Sequence, residues 1–386
     1  MLITVVSVDQ DHFITLGLIL LVMKKIVIDG RELRTSSGRY VERLLYYLQA
    51  NDQTHHYGVL LKPKDMNSWT PTNVNFEKIA CPYKEFGFGE QLGLLNQINQ
   101  LNPDLVHFTF PQQPIWYQGE TVTTIHDLTT LRFNNPSKLL PLFKFKQHVY
   151  KHVIKRAARK SAHVIVGSQF VKDDVVKFSH IKPDKVTVTY EAADPITETP
   201  VELPELVGKQ FIMYVGRPTP HKNLERLIEA FRLIQAQHHD LVLVLAGKKD
   251  SNYRRIEKKV HKKSVTNIVF TDFVSEGQLR WLYEHCAAYV FPSLSEGFGL
   301  PGLEAMLHGA PVISSNATCL PEIYGDAAHY FDPYNIQAIA DALNAVLINE
   351  NLRWELIEKG KNQTAKYSWQ RTAEQTFQIY TKVLGD

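Results

Sequence analysis

The chain has 386 residues, more than one ordinary hydrophobic core accommodates, so two domains are expected. Its 44% apolar content is that of a globular protein, and a formal net charge of only +3 argues against a dedicated nucleic-acid binder. Cys81, Cys286 and Cys319 are an odd number without metal-ligand spacing, which predicts a reduced, cytoplasmic setting; the sequons Asn316-Ala317-Thr318 and Asn362-Gln363-Thr364 then read as chance matches.

The first feature along the chain is an apolar run, FITLGLILLVM, at 13–23. It is too short to span a bilayer, and Asp9 and Asp11 precede it where a secretory signal carries basic charge. Met23-Lys24-Lys25 followed by Ile26-Val27-Ile28 reads as the opening line of a parallel sheet, so 1–22 is taken as an N-terminal extension; a membrane-dipping anchor is the rival reading. Strand-like runs follow at 25–29, 58–61, 104–108, 122–126, 163–166 and 185–189, with helical patterns between several of them. Pro195, Pro200 and Pro204 punctuate an irregular stretch that reads as a linker. A second alternating series has strands at 211–215, 241–246, 267–271, 288–291, 311–314 and 329–331, and helices at 223–237 and 275–286. Alternation of this kind predicts two doubly wound α/β domains facing a cleft, with ligands at the carboxyl ends of strands. No G-x-G-x-x-G follows Asp29, which weakens a dinucleotide-dehydrogenase reading.

The most informative segment is FPSLSEGFGLPGLEAMLHGAPVISS at 291–315. A buried strand ends at Phe291, Gly297 and Gly299 allow a tight turn, and Pro301 suits the first turn of a helix. The amides at such a helix start face the crevice and attract an anion. Glu304, placed in the first turn, and Glu296, on the preceding loop, would repel a phosphate, so hydrogen bonds from sugar or ribose hydroxyls suit them better. Taken singly, the two acids read equally well as a helix-start acid and a solvated loop residue.

The whole string resembles the signature of glycosyltransferase family 4, retaining enzymes of the GT-B fold, whose E-x7-E motif is matched at Glu296 and Glu304, with Gly309, Pro311 and Val312 among the flanking residues. The loop VGRPTPHKNL at 215–224 resembles the phosphate-binding loop of the same family. The resemblance covers most of 24–384. It implies two Rossmann-like domains around a central cleft: an acceptor domain at 23–195, a linker at 196–209, a nucleotide-sugar donor domain at 210–366, and a last helix within 367–386 that crosses back to the first domain. It assigns Arg217 and Lys222 to the donor diphosphate, the Phe298, Gly299 and Leu300 amides to its distal phosphate, Glu304 to the ribose and Glu296 to the transferred sugar, with Gly297 also among the donor-binding residues. An arginine fork and a lysine point charge would offset negative charge building on the leaving group.

In the first domain, TVTTIHDLTTLRF places His126 and Asp127 at a strand end, where a half-buried structural histidine is the plain alternative. The His-Asp pair is similar to that of mannosyltransferase-like members, in which the histidine contacts the donor sugar. Asp127 is the weaker candidate, on the acceptor side, and also reads as a cap for the next segment. Thr35-Ser36-Ser37-Gly38-Arg39 stands where relatives carry a glycine-containing loop, which leaves Gly38 as the candidate for close backbone approach to the donor.

The D-x-D at Asp9-Gln10-Asp11 lies in the extension and is discounted as a metal site; no metal and no cofactor beyond the donor are expected. Between 128 and 172 there are ten Lys or Arg and no acid, and the 138–160 segment reads as a basic amphipathic helix. Such a helix suits peripheral contact with an anionic membrane bearing a lipid-linked acceptor, or equally a solvated helix packed on its sheet. The expectation is a metal-independent, retaining hexosyltransferase using GDP-mannose in cell-surface polysaccharide synthesis. The alternative is a catalytically silent GT-B protein that binds nucleotide sugar or glycan as scaffold or sensor.

Overall fold

The computed structural model describes residues 2–8, 14–20, 23–35, 38–85, 87–133, 140–263 and 265–385. Asp9, Asp11, Phe13, Ser36, Ser37 and residues 138–139, on which parts of the sequence reading fall, lie outside them. Leu2–Val8 (β1) and Ile14–Leu20 (β2) form an antiparallel pair that joins neither of the other sheets, so most of the 13–23 run is strand.

Among the described residues, two parallel sheets account for the other strands. The first contains Lys25–Asp29 (β3), His56–Leu61 (β4), Phe76–Ala80 (β5), Leu105–Phe108 (β6), Thr121–Thr124 (β7), His163–Val166 (β8) and Val186–Val188 (β9), in the order β5-β4-β3-β6-β7-β8-β9. The second contains Phe211–Val215 (β10), Val242–Ala246 (β11), Ile268–Asp272 (β12), Ala288–Phe291 (β13), Val312–Ser315 (β14) and Ala328–Phe331 (β15), in the order β12-β11-β10-β13-β14-β15. Their central strands are apolar on both faces, as helices covering both sides of a parallel sheet require; Ile26, Val27, Ile28, Leu243, Val244 and Leu245 are fully buried.

Two departures from the sequence pattern have physical causes. FEKIA at Phe76–Ala80 is a half-exposed edge strand whose mixed composition lacks the continuous apolar signal of the central strands. The strand expected at 122–126 ends at Thr124; the Ile125 amide still donates to the Ile165 carbonyl, and His126 and Asp127 then turn out to meet the second domain at Gly297. In both sheets the strand order reverses beside the first strand of the series, between β3 and β6 and between β10 and β13. A crevice opens outside the carboxyl ends of strands at such a point. Here the loops after β10 and β13 flank the reversal in the second sheet.

The last helix, Trp369–Leu384, buries Trp369, Ala373, Ile379 and Tyr380 in the core of the first domain, against Tyr40, Leu44 and Leu48 of the Gly38–Asn51 helix. Tyr380 ends in a 2.5 Å hydrogen bond to His107 Nδ1, so the crossing helix is fixed by polar contact as well as by apolar burial.

Candidate active site

The loop after β13 is held open by its own chain. Gly299 has φ 102°, a conformation that suits glycine, and its carbonyl accepts a 2.6 Å hydrogen bond from Tyr324 OH. Thr318 Oγ1 accepts from the Glu296 amide at 3.1 Å. The Leu300–Leu307 helix then starts with Pro301 in its first turn and no side-chain cap. Among the described residues, the amides of Gly297, Phe298, Gly299 and Leu300 have no acceptor. Amides left free at the positive end of a helix are suited to an anion. Glu304 lies in the second turn of this helix, one turn further on than the sequence reading placed it. There it is clear of the first turn, and its carboxylate meets Arg39 of the first domain.

Each glutamate of the motif is met by a cation. Lys222 Nζ is 2.6 Å from Glu296 Oε1, both side chains being largely buried, and it also lies 5.3 Å from the centre of the Phe291 ring. Glu304 is paired with Arg39 of the Gly38–Asn51 helix, and Tyr283 OH donates to its second oxygen at 3.4 Å. Arg217, on the same loop as Lys222, is exposed and has no ion-pair partner among the described residues. The two loops are joined where the Leu294 amide donates to the His221 carbonyl at 2.7 Å.

The first domain closes on this loop with little clearance. A Cβ on Gly297 would stand 2.1 Å from the His126 carbonyl oxygen and 3.0 Å from Asp127 Cβ. Ser168 Oγ donates to the Gly297 carbonyl at 2.7 Å, and Thr129 Oγ1 lies 2.8 Å from Ser295 Oγ. His126 and Asp127 thus stand beside Glu296. The ring of His126 is wedged between Tyr40 and Phe110, with Nδ1 3.2 Å from Glu191 Oε1 and Nε2 3.1 Å from the Thr109 carbonyl. Both nitrogens are therefore engaged by the first domain itself. Asp127 Oδ1 accepts from the Thr129 amide at 2.7 Å, the capping role weighed for it in the sequence. At Gly38 the space of a side chain is filled by the Leu33 carbonyl oxygen, 2.0 Å from an added Cβ; glycine there answers to the packing of its own loop.

Three contributors carried no signal that singled them out. Arg39 shows only as a basic residue in the first turn of a helix, against the dipole. Glu191 lies 65 residues from the histidine it meets. His221, beside Phe133 of the other domain, is held below the usual imidazole range by burial, assisted by Lys222 and opposed by Glu296 and Asp127.

Residues 37–196 match the family described as Glycosyltransferase Family 4, and residues 196–363 match Glycosyl transferases group 1. This chain belongs to glycosyltransferase family 4. Among relatives of this family member, the serotype-specific mannosyltransferase WbdA of Escherichia coli is 31% identical over 278 residues, 69% of this chain and 34% of that protein. The chain thus spans about a third of the length of that relative. O-antigen chain mannosyltransferase B of Escherichia coli is 29% identical over 282 residues, 67% of this chain and 69% of that protein. Sucrose-phosphate synthase from Thermosynechococcus elongatus shares the fold at 20% identity, with a TM-score of 0.75 over 94% of this chain and 99% of that one. The fold is GT-B, two Rossmann-like domains with the glutamate loop at their seam.

Proposed function

We propose that this glycosyltransferase is a retaining, metal-independent enzyme that moves mannose from GDP-mannose to a saccharide or lipid-linked saccharide in cell-surface polysaccharide synthesis. The observation that carries this reading is the placement of Lys222 and Glu296, 2.6 Å apart, on the loops at the strand reversal of the second sheet, where four backbone amides have no acceptor among the described residues. A diphosphate fits the amides, Arg217 and Lys222, while Glu296 and Glu304 take hydroxyls of sugar and ribose. Two relatives named as mannosyltransferases, at 31% and 29% identity, favour mannose. The acceptor hydroxyl attacks the anomeric carbon from the face the phosphate leaves. The bond from that carbon to the phosphate oxygen breaks, and the departing oxygen takes the acceptor's proton. Leaving-group charge is stabilised by Arg217, Lys222 and the helix start, and His126 with Glu191 shapes the sugar pocket.

The reading places the enzyme in the cytoplasm, in peripheral contact with the membrane that carries its acceptor. Support for this contact comes from the Leu140–Lys160 helix, which exposes Lys144, Lys146 and Lys151 while burying Ile154, Ala157 and Ala158. Among the described residues no helix is long and apolar enough to cross a membrane. Charge reversal at Lys144, Lys151 and Lys155 should abolish flotation with anionic liposomes; unchanged flotation removes the membrane contact.

A panel of GDP-, UDP-, dTDP- and ADP-sugars tests the donor by thermal shift and turnover together. GDP-mannose should raise Tm most and be consumed, with EDTA changing the rate less than about two-fold. Binding without turnover of any donor would favour the silent scaffold.

A further inference from the structure

We propose that Arg39 is a diphosphate-binding residue contributed by the first domain, so that the donor site is complete only when the two domains meet. The inference rests on the nucleotide-sugar reading above and extends it to a residue outside the family motif. Its starting point is charge. On the second domain two cations, Arg217 and Lys222, stand against two carboxylates, Glu296 and Glu304, a formal sum of zero, and Asp127 of the first domain, whose Cβ would be 3.0 Å from a Cβ on Gly297, adds a further negative group. A donor diphosphate brings two more negative charges into this space. The second domain alone offers it no positive excess, and Arg39 supplies the missing cation.

The position of Arg39 supports the same conclusion. It occupies the second residue of the Gly38–Asn51 helix, whose first turn has no acidic residue, where a cation opposes the helix dipole. Its side chain is 38% exposed and its guanidinium reaches across the seam to Glu304. One turn further along the same face, Arg43 Nε is 2.8 Å from Asp194 Oδ2, which ties the helix to the last residues of the first domain. Four residues separate Glu304 from Leu300, about 6 Å of helical rise, so the anion-binding amides lie within the swing of an arginine. When ribose hydroxyls donate to Glu304, the guanidinium fork is released toward the phosphate oxygens, for which its planar geometry is suited. Glu304 thus holds Arg39 in place until a nucleotide arrives.

Calorimetry on the full chain with GDP, UDP, guanosine and uridine tests this. For the nucleoside diphosphate that wild type binds best, Arg39→Gln should weaken binding roughly ten-fold or more, as expected for loss of a charged hydrogen bond. The parent nucleoside should bind the variant as it binds wild type, or tighter, because Glu304 is freed. Arg39→Lys should restore part of the diphosphate affinity. Equal losses for nucleoside and diphosphate, or no loss for the diphosphate, would overturn the assignment and leave Arg39 as a strut between domains. If wild type bound none of the four, the nucleotide-sugar reading itself would fall, a result distinct from either.

Discussion

Lys222 and Glu296 form a 2.6 Å ion pair across the two loops that frame the strand reversal of the second sheet, with side chains only 18% and 13% exposed. Each charge neutralises the other in a place where water does so poorly. Removing one partner leaves its mate uncompensated, whereas removing both does not. Lys222→Met and Glu296→Gln should therefore each lower the unfolding free energy by about 1–3 kcal/mol, with the double variant losing clearly less than the sum. Denaturant titrations of the four proteins check this; strictly additive losses would mean that the pair is not coupled. Donor turnover should be lost in all three variants, since stability and catalysis draw on the same charges in different ways.

The two glutamates should separate kinetically. Glu304 meets Arg39 and Tyr283, whereas Glu296 meets Lys222, and the ribose lies at Glu304 in the proposed pose. Glu304→Ala should raise the Kd for nucleoside diphosphate about ten-fold or more while changing the transfer rate at saturation much less. Glu296→Ala should do the reverse, lowering kcat with a modest change in Kd. Calorimetry paired with steady-state kinetics decides it, and an unaltered affinity in the Glu304 variant would refute this division of roles.

Gly297 offers a test of closure. An added methyl group would lie 2.1 Å from the His126 carbonyl oxygen, a backbone atom that cannot rotate away, so the seam must part. The contact is between domains, not within either core. Gly297→Ala should keep the thermal unfolding temperature within a few degrees of wild type and retain nucleoside binding, while diphosphate affinity falls as it does in Arg39→Gln. Its turnover should fall roughly a hundred-fold, the scale expected when reacting groups are displaced by an ångström. Full activity in this variant would show that the enzyme works with the seam open.

Much of this fold is legible in the sequence because a doubly wound protein repeats one local rule. Buried strands such as Phe211–Val215 and Ala288–Phe291 are continuous apolar runs bounded by glycine or proline, and their limits match the pattern residue for residue. The edge strand Phe76–Ala80 escapes that rule because one side meets solvent. The glutamate loop is legible because Gly297, Gly299 and Pro301 state its backbone needs directly. What stays hidden is pairing across the seam. Nothing in local spacing brings Arg39 to Glu304 or Glu191 to His126, and these contacts depend on how two separately folded layers meet. The same hidden geometry recasts His126: a histidine at a strand end suggests a free donor, but its two nitrogens are already claimed by Glu191 and the Thr109 carbonyl.

The acid limb of stability should trace in part to His107. Its imidazole is fully buried on β6 between Tyr380 OH at 2.5 Å and Thr124 Oγ1 at 2.8 Å, and burial pushes its pKa down to about 3, with His126 acting in the same direction. In the unfolded chain the same group titrates near 6.5. The unfolded state therefore binds the extra proton first as pH falls. The neutral histidine's contribution is complete above about pH 6.5 and is lost progressively toward pH 3, with a slope approaching 1.4 kcal/mol per pH unit for this one group. His163, pushed down to about 4 chiefly by burial, adds a term of the same sign over a narrower range. Denaturant midpoints measured between pH 4.5 and 7 should show wild type weakening steeply toward acid. His107→Gln, less stable at pH 7 through imperfect packing, should show a shallower slope over that interval. Parallel slopes would mean that the imidazole protonates as freely in the fold as in the unfolded chain.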